Sequence, residues 1–469
     1  MKVLKNKKNI PSYRLYDIIP SQNAMYLMYK FGIHKQQAQI PTSYMPGKVL
    51  DFNVLQKAFA VEIKRNDSLR LRFIKHDGKV RQYFTGDYEY KVPVKYFFSE
   101  QEQNEFFEAD APKPVSFLKD ETFRIYFFRT AHKGVGIYTN FSHLLMDAMG
   151  IVIFYLDLLN VYDSIENNKP LPPPLNSYED YIIKNLEKNA DEKKEAKHEA
   201  FFKEYFARGG EPFYAGVHGP ALLEKFRKKK KNPHARVPIA YNPLHDKCDM
   251  LIRKISKVDT DKIIAFCEEK QISPESVFQL GLRTYCSAIN YRTEDVCMMS
   301  VCSNRTNYKE KNMSGCMAQP LILRTIIPEA STFYEALQSI TDVRTALYRH
   351  SLYPYTKARD MFLKMYNFAP VQGANSMMFS WIPLPVGENI PEEAEFRTYN
   401  LRSYFTPLYT MVTPDSGSGG ISIYYMYRVK LSSAEDIERL HKNTVSVILE
   451  GIKNPDIKIS QLLDGIERQ

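Results

Sequence analysis

Between Asn140 and Gly150 the chain reads NFSHLLMDAMG, which sets a histidine and an aspartate four residues apart and closes on a glycine. Histidine titrates nearest neutrality, so His143 could take a proton from an alcohol or amine at physiological pH and later return it. Asp147 could orient the imidazole, by the logic of a catalytic triad. Spacing alone does not select catalysis, because His245 and Asp249 in LHDKCDM have the same separation where nothing else suggests chemistry; His245 reads as structural or solvent-facing. A core histidine satisfied by backbone is the structural alternative for His143. No HExxH is present and two ligands do not make a zinc site, so no metal is expected.

The neighbouring sequence supplies a setting. GVGIYTNF is a strand-like run into His143, and the segment after Asp147 is apolar at helical density through Leu159. His143 is therefore expected where a strand hands over to a helix, a position that presents side chains at a sheet's edge. Gly150 at the helix start either admits another backbone at close range or only packs the helix. Upstream, LDFNVLQKAFAVEIKRN carries apolar residues on one helical face, and SLRLRFIKHDGKVRQYF alternates around a turn at Asp77 and Gly78.

LPPPLNSYEDY breaks the pattern and a charged, helix-like run, KNLEKNADEKKEAKHEAFFKEYF, follows it. From Asp249 a second mixed region reads as a strand (MLIRKISK), a helix after Asp259, and a helix capped by Ser273 with Pro274 first. The strands DVCMMSVCSN and PLILRTII, the stretch NSMMFSWIPLP, the strand ISIYYMYRV and a last helix capped by Ser432 or Ser433 complete it. Strands and helices mix in both halves, which predicts two α/β sandwiches. The boundaries expected are 1–190 for a first lobe carrying the HxxxD motif, 191–248 for a charged helix and basic linker, and 249–469 for a second lobe.

With 469 residues, 44% hydrophobic and 25% charged, the chain suits two domains. A net charge of +10 suits an anionic partner: nucleic acid, a phosphate-bearing cofactor or an acidic carrier protein. The dense basic cluster from Lys225 to Arg236 reads as a solvated loop, or as a patch that steers a phosphorylated donor, and no nucleic-acid-binding signature accompanies it. The N-terminus lacks a signal peptide's apolar core, and the run IVIFYLDLLNVY holds Asp157 and falls short of a membrane span. A cytoplasmic protein is expected. Six cysteines without a CxxC argue against disulfides and structural zinc.

In order along most of its length the chain resembles the HxxxD acyltransferase superfamily: chloramphenicol acetyltransferase, bacterial alcohol acetyltransferases and the condensation domains of nonribosomal peptide synthetases. PSQNAMYL is similar to the opening condensation motif. RHxxLRxxF is matched by Arg65, Asn66, Leu69, Arg70 and Phe73, with Asn66 in place of histidine. SHLLMDAMG resembles HHxxxDG, with Ser142 for the first histidine and Ala148 for the glycine, and SNRTNYKEKNMSGCMAQPLILR resembles a later motif through Arg305, Gly315 and Arg324. DFGWG, typical of the plant acyltransferases, is absent.

The resemblance implies two chloramphenicol acetyltransferase-like α/β sandwich domains forming a V, with a channel along their interface and His143 at its middle. His143 would be general base for acyl transfer from a thioester, most readily acyl-CoA, to a hydroxyl or amine. No covalent nucleophile is needed, because positioning an activated donor and an acceptor together supplies much of the rate. The family pattern has Asp147 pair with an arginine, with Arg70 the first candidate and Arg65 the second. Ser380, preferred to Ser376, would face the developing oxyanion. Arg305 is a candidate for a substrate carboxylate or carrier phosphate, against a structural ion pair. No permanent cofactor is implied; acyl-CoA or a phosphopantetheine thioester is substrate, a small-molecule acceptor is expected, and an acidic acyl carrier protein is the macromolecular partner to test. The rivals are a free-standing condensation enzyme using carrier-protein thioesters and a non-catalytic binding member of the fold, the second kept open by Ser142 and Ala148.

Overall fold

The computed structural model describes residues 13–118, 122–234, 245–369, 376–384, 393–415 and 417–467. Strand Gly134–Ser142 is the spine of the first half. It pairs antiparallel with Gln39–Met45 on one side and Phe123–Thr130 on the other, and Val94–Phe97 extends the sheet in parallel. Helices Phe52–Arg65 and Ala148–Glu166 cover this sheet, and Phe59 meets Phe154 edge-on with ring centroids 6.2 Å apart. Asp51 starts the first of these helices by accepting from the Asn53 and Val54 amides. The expected hairpin pairs Leu71–His76 with Lys79–Phe84, and Asp77 and Gly78 both have positive φ, as a tight two-residue turn demands.

In the second half six strands lie in the order Gln319–Ile326, Asp295–Cys302, Met377–Trp381, Leu408–Pro414, Ile421–Arg428, Cys248–Ile255. Strand alternation splits their side chains between two faces. Cys297, Met377, Phe379, Leu408, Val412, Ile423 and Tyr425 join the main core under the helices Pro274–Ile289, Phe333–Arg349 and Ala434–Lys453. The opposite face carries an aligned row, Met299, Met378, Tyr409 and Met426, and turns toward the first half. Two α/β sandwich lobes thus face each other across a cavity.

One element crosses between them. Glu395–Thr398 comes from the second half of the sequence yet pairs with Gln39–Met45, as the edge strand of the first sheet. Helix Glu192–Ala207, in the segment expected to be a charged helix and basic linker, packs Phe202, Tyr205 and Phe206 into the second core, and the Tyr205 hydroxyl accepts from the Arg324 amide at 2.6 Å.

Several local expectations change. The charged run is two helices, Tyr178–Asn189 and Glu192–Ala207, capped by Ser177 and Asp191. The helix expected after Asp259 begins at Lys257, because the Ser256 hydroxyl accepts from the Asp259 amide. Ser433, not Ser432, caps Ala434–Lys453, which is followed by one more short helix, Ile459–Asp464. The first part of the basic cluster is helical, Ala221–Lys230, ending at Lys231 with φ 50°; lysine and arginine favour helix, and cations suit its C-terminal end. The far end of the cluster, Arg236, lies outside the described residues. Helix Ala148–Glu166 has the length and apolarity to cross a membrane, but it is a core helix, with Ile151, Phe154, Leu158 and Val161 buried.

Candidate functional site between the lobes

His143 follows directly on the central strand, and its backbone amide donates to the Ala38 carbonyl at 2.8 Å, which fixes the loop to the neighbouring strand's approach. The ring is half-buried in the wall of a cavity of about 540 Å³, within the range of small-molecule sites. Nδ1 is buried and has no hydrogen-bond partner among the described residues. Burial pushes the imidazole below its ordinary pKa; the contact with its own backbone and the nearby Asp147 charge oppose this only in part. The balance favours the neutral ring.

Asp147 does something different. Its Oδ1 accepts from the Gly150 amide at 2.7 Å, capping the helix that starts at Ala148. Its Oδ2 accepts from Arg305 at 2.9 Å and from the Met317 and Ala318 amides, each at 2.8 Å. Burial pushes the carboxyl up, but the Arg305 guanidinium and the amide donors outweigh it and hold the group below the usual aspartate range. Both partners are almost wholly buried. Arg305 also donates to the Gly315 carbonyl at 3.1 Å, so the pair ties the loop before Gln319 to the start of the His143-bearing loop.

The same junction explains Gly150. A Cβ there would stand 2.7 Å from the Gly315 carbonyl oxygen and 2.9 Å from its nitrogen, so two backbones from opposite halves meet at a distance only glycine permits. Gly315, at φ 118°, sits against the Tyr178 ring, whose hydroxyl donates to the Cys316 carbonyl at 2.8 Å; Ser21 donates to that carbonyl too.

Neither arginine expected to pair with Asp147 reaches it. Arg65 forms an ion pair with Asp157 at 2.9 Å, and Arg70 donates to the Ile63 and Lys64 carbonyls at the end of the preceding helix. Arg305, weighed as a substrate ligand against the preferred reading of a buried ion pair, is the cation that Asp147 meets. Its guanidinium is occupied by protein groups, although the residue still borders the cavity.

Ser380 lies in the cavity wall with its hydroxyl 2.6 Å from that of Tyr409. Ser376 is turned away, held by the Ala215 carbonyl and the Val217 amide. His245 is exposed. Tyr409 and the methionine row are not singled out by the sequence; the alternation of NSMMFSW and LYTMVTP carries a signal, but it does not say which face meets a cavity. All six cysteines are buried, and burial pushes Cys248, Cys267 and Cys286 up to about 12. Among the described residues no cluster of three or more His, Cys, Asp or Glu could hold a metal ion.

Two facing α/β lobes with the HxxxD histidine on the wall between them define a member of the chloramphenicol acetyltransferase-like, HxxxD class. Within that class the chain belongs to the condensation-domain family, whose model matches residues 13–468. It is 22% identical over 476 residues to surfactin synthase subunit 1 of Bacillus subtilis (strain 168), covering 95% of this chain and 12% of the synthase. A match to bacitracin synthase 1 of Bacillus licheniformis has 19% identity over 96% of this chain and 8% of the relative. The chain thus spans only a small fraction of these relatives' length. Among solved structures, the first condensation domain of the calcium-dependent antibiotic synthetase superposes with a TM-score of 0.77 at 14% identity, covering 96% of this chain and 99% of that one. A mutant starter condensation domain of rhizomide synthetase, in complex with C8-CoA and Leu-SNAC, gives 0.78 at 15%, covering 97% of both.

Proposed function

We propose that this chain transfers an acyl group from a thioester donor, acyl-CoA in the first instance, to a hydroxyl or amine, with His143 as general base. The observation that carries the reading is the His143 imidazole on the wall of the inter-lobe cavity, where burial favours its neutral form. In the tautomer that carries its proton on the buried Nδ1, Nε2 keeps the lone pair. Nε2 takes the acceptor's proton as its oxygen or nitrogen attacks the thioester carbonyl. The new C–O or C–N bond forms, the C–S bond breaks, and the proton passes from the imidazolium to the departing thiolate. If the Tyr409 hydroxyl donates to Ser380, the Ser380 proton is free for the oxyanion. Arg305 and Asp147 position the loop.

The acyl-CoA donor is supported by the C8-CoA bound to the starter condensation domain whose fold this chain shares. The carrier-protein donor is supported by family membership. Both use the same base, so one experiment tests the chemistry: His143→Ala is expected to lose about 10²- to 10⁴-fold in kcat/KM against a panel of acyl-CoA and acyl-carrier donors. Undiminished transfer by that variant would end the assignment.

A further inference from the structure

Resting on that reading, we infer that the second-lobe floor of the cavity holds an uncharged, flexible, apolar acyl chain and discriminates against an α-aminoacyl group. The floor is the inward face of the six-stranded sheet, where Met299, Met378, Tyr409 and Met426 form one row and Met411 stands beside Ser380 in the next. Seven of the chain's 17 methionines border the cavity, enough to make the surface conformable; unbranched thioether side chains adapt to a ligand with many rotamers.

The charges point the same way. An α-amino group is largely protonated at pH 7 and needs a carboxylate partner when buried. Two carboxylates are among the described lining residues, and both are committed: Asp147 to Arg305, and Glu275 to Arg344 with further donation from Tyr348 and Gln279. The lining amide nitrogens are engaged as well, and the one buried amide oxygen left without a partner among the described lining residues, Gln319 Oε1, is neutral and cannot balance an ammonium. Gln37 donates to Asp246, Gln39 to the Ala111 carbonyl, and Gln319 to the Tyr353 carbonyl. What is left for a ligand is predominantly apolar surface, in which each buried CH₂ strengthens binding about fourfold.

The test uses wild-type protein and inert thioethers, so binding is read without turnover. In calorimetric titrations, S-alkyl-CoA thioethers from methyl to dodecyl should tighten about fourfold per CH₂ until the floor is filled and then level off. Val301→Trp, at a half-buried lining position, should move that plateau to a shorter chain, and Met378→Phe should do so to a lesser degree. In competition against the S-octyl probe, S-(4-methylpentyl)-N-acetylcysteamine should displace it at least about tenfold more effectively than its 2-amino counterpart. A flat length series, or an amine that competes equally well, overturns the inference. Wild-type acyl transfer with a flat series would sink this inference alone, whereas the full length series without any transfer would sink only the proposed activity.

Discussion

Replacing Arg305 by methionine removes the cation from a carboxylate that is almost wholly buried. Asp147 would keep its three amide donors but lose its one charged partner. Breaking a buried pair from one side costs about 3–5 kcal/mol, because the stranded charge remains. Asp147→Asn in the same chain should restore at least about 1 kcal/mol, since asparagine can still cap the helix while carrying no charge. The pH dependence has a defined sign. In the wild type the carboxyl's folded pKa lies below its unfolded value, so its contribution is complete above about pH 4 and fades only as pH falls through the depressed value. Without the guanidinium, burial dominates and raises the folded pKa; the variant's deficit should therefore narrow as pH falls from 7 toward 4. Urea unfolding followed through Trp381, the only tryptophan and itself on the cavity wall, measures this. A loss under about 1 kcal/mol for Arg305→Met, or additive single and double variants, would refute the argument that the pair fastens the loop.

Other outcomes follow from the same geometry. Asp147→Asn should keep transfer within about tenfold of wild type, far from the roughly 10⁴-fold drop of a triad aspartate, because its oxygens are taken by Arg305 and backbone amides and not by the imidazole; kcat measurements decide. The acid limb of the kcat/KM profile should lie below the ordinary histidine value of 6.5, since burial favours the neutral base; a limb above 6.5 would contradict it. Gly150→Ala should destabilise by about 1–3 kcal/mol and lower kcat by displacing the loop from Gly315, checked by thermal melting and steady-state rates. Ser380→Ala should cost about 10²- to 10³-fold in kcat if its hydroxyl serves the oxyanion, and Tyr409→Phe less, because it acts through Ser380.

The strand into His143, the helix behind Asp147 and the Asp77–Gly78 hairpin are legible because each is encoded locally, in alternation, helical spacing and turn chemistry. The partner of Asp147 is not. Arg305 lies 158 positions away, and no local pattern distinguishes an arginine that will fold across the interface from Arg65 and Arg70, which sit in a motif closer in sequence. The basic helix reads as loop because the Pro, Gly and His around it mask the high helix propensity of lysine and arginine. Strand Glu395–Thr398 is only four residues long, and its pairing partner lies in the other half of the chain, so nothing nearby announces it.

That short strand has a consequence for how ligands come and go. Opening the two lobes like a clamshell would require unzipping its ladder with Gln39–Met45, together with the Thr398 and Tyr399 bonds to the Pro41 carbonyl. Substrates must then thread in from the ends of the cleft while the jaws stay shut, and the lobes should melt as one cooperative body.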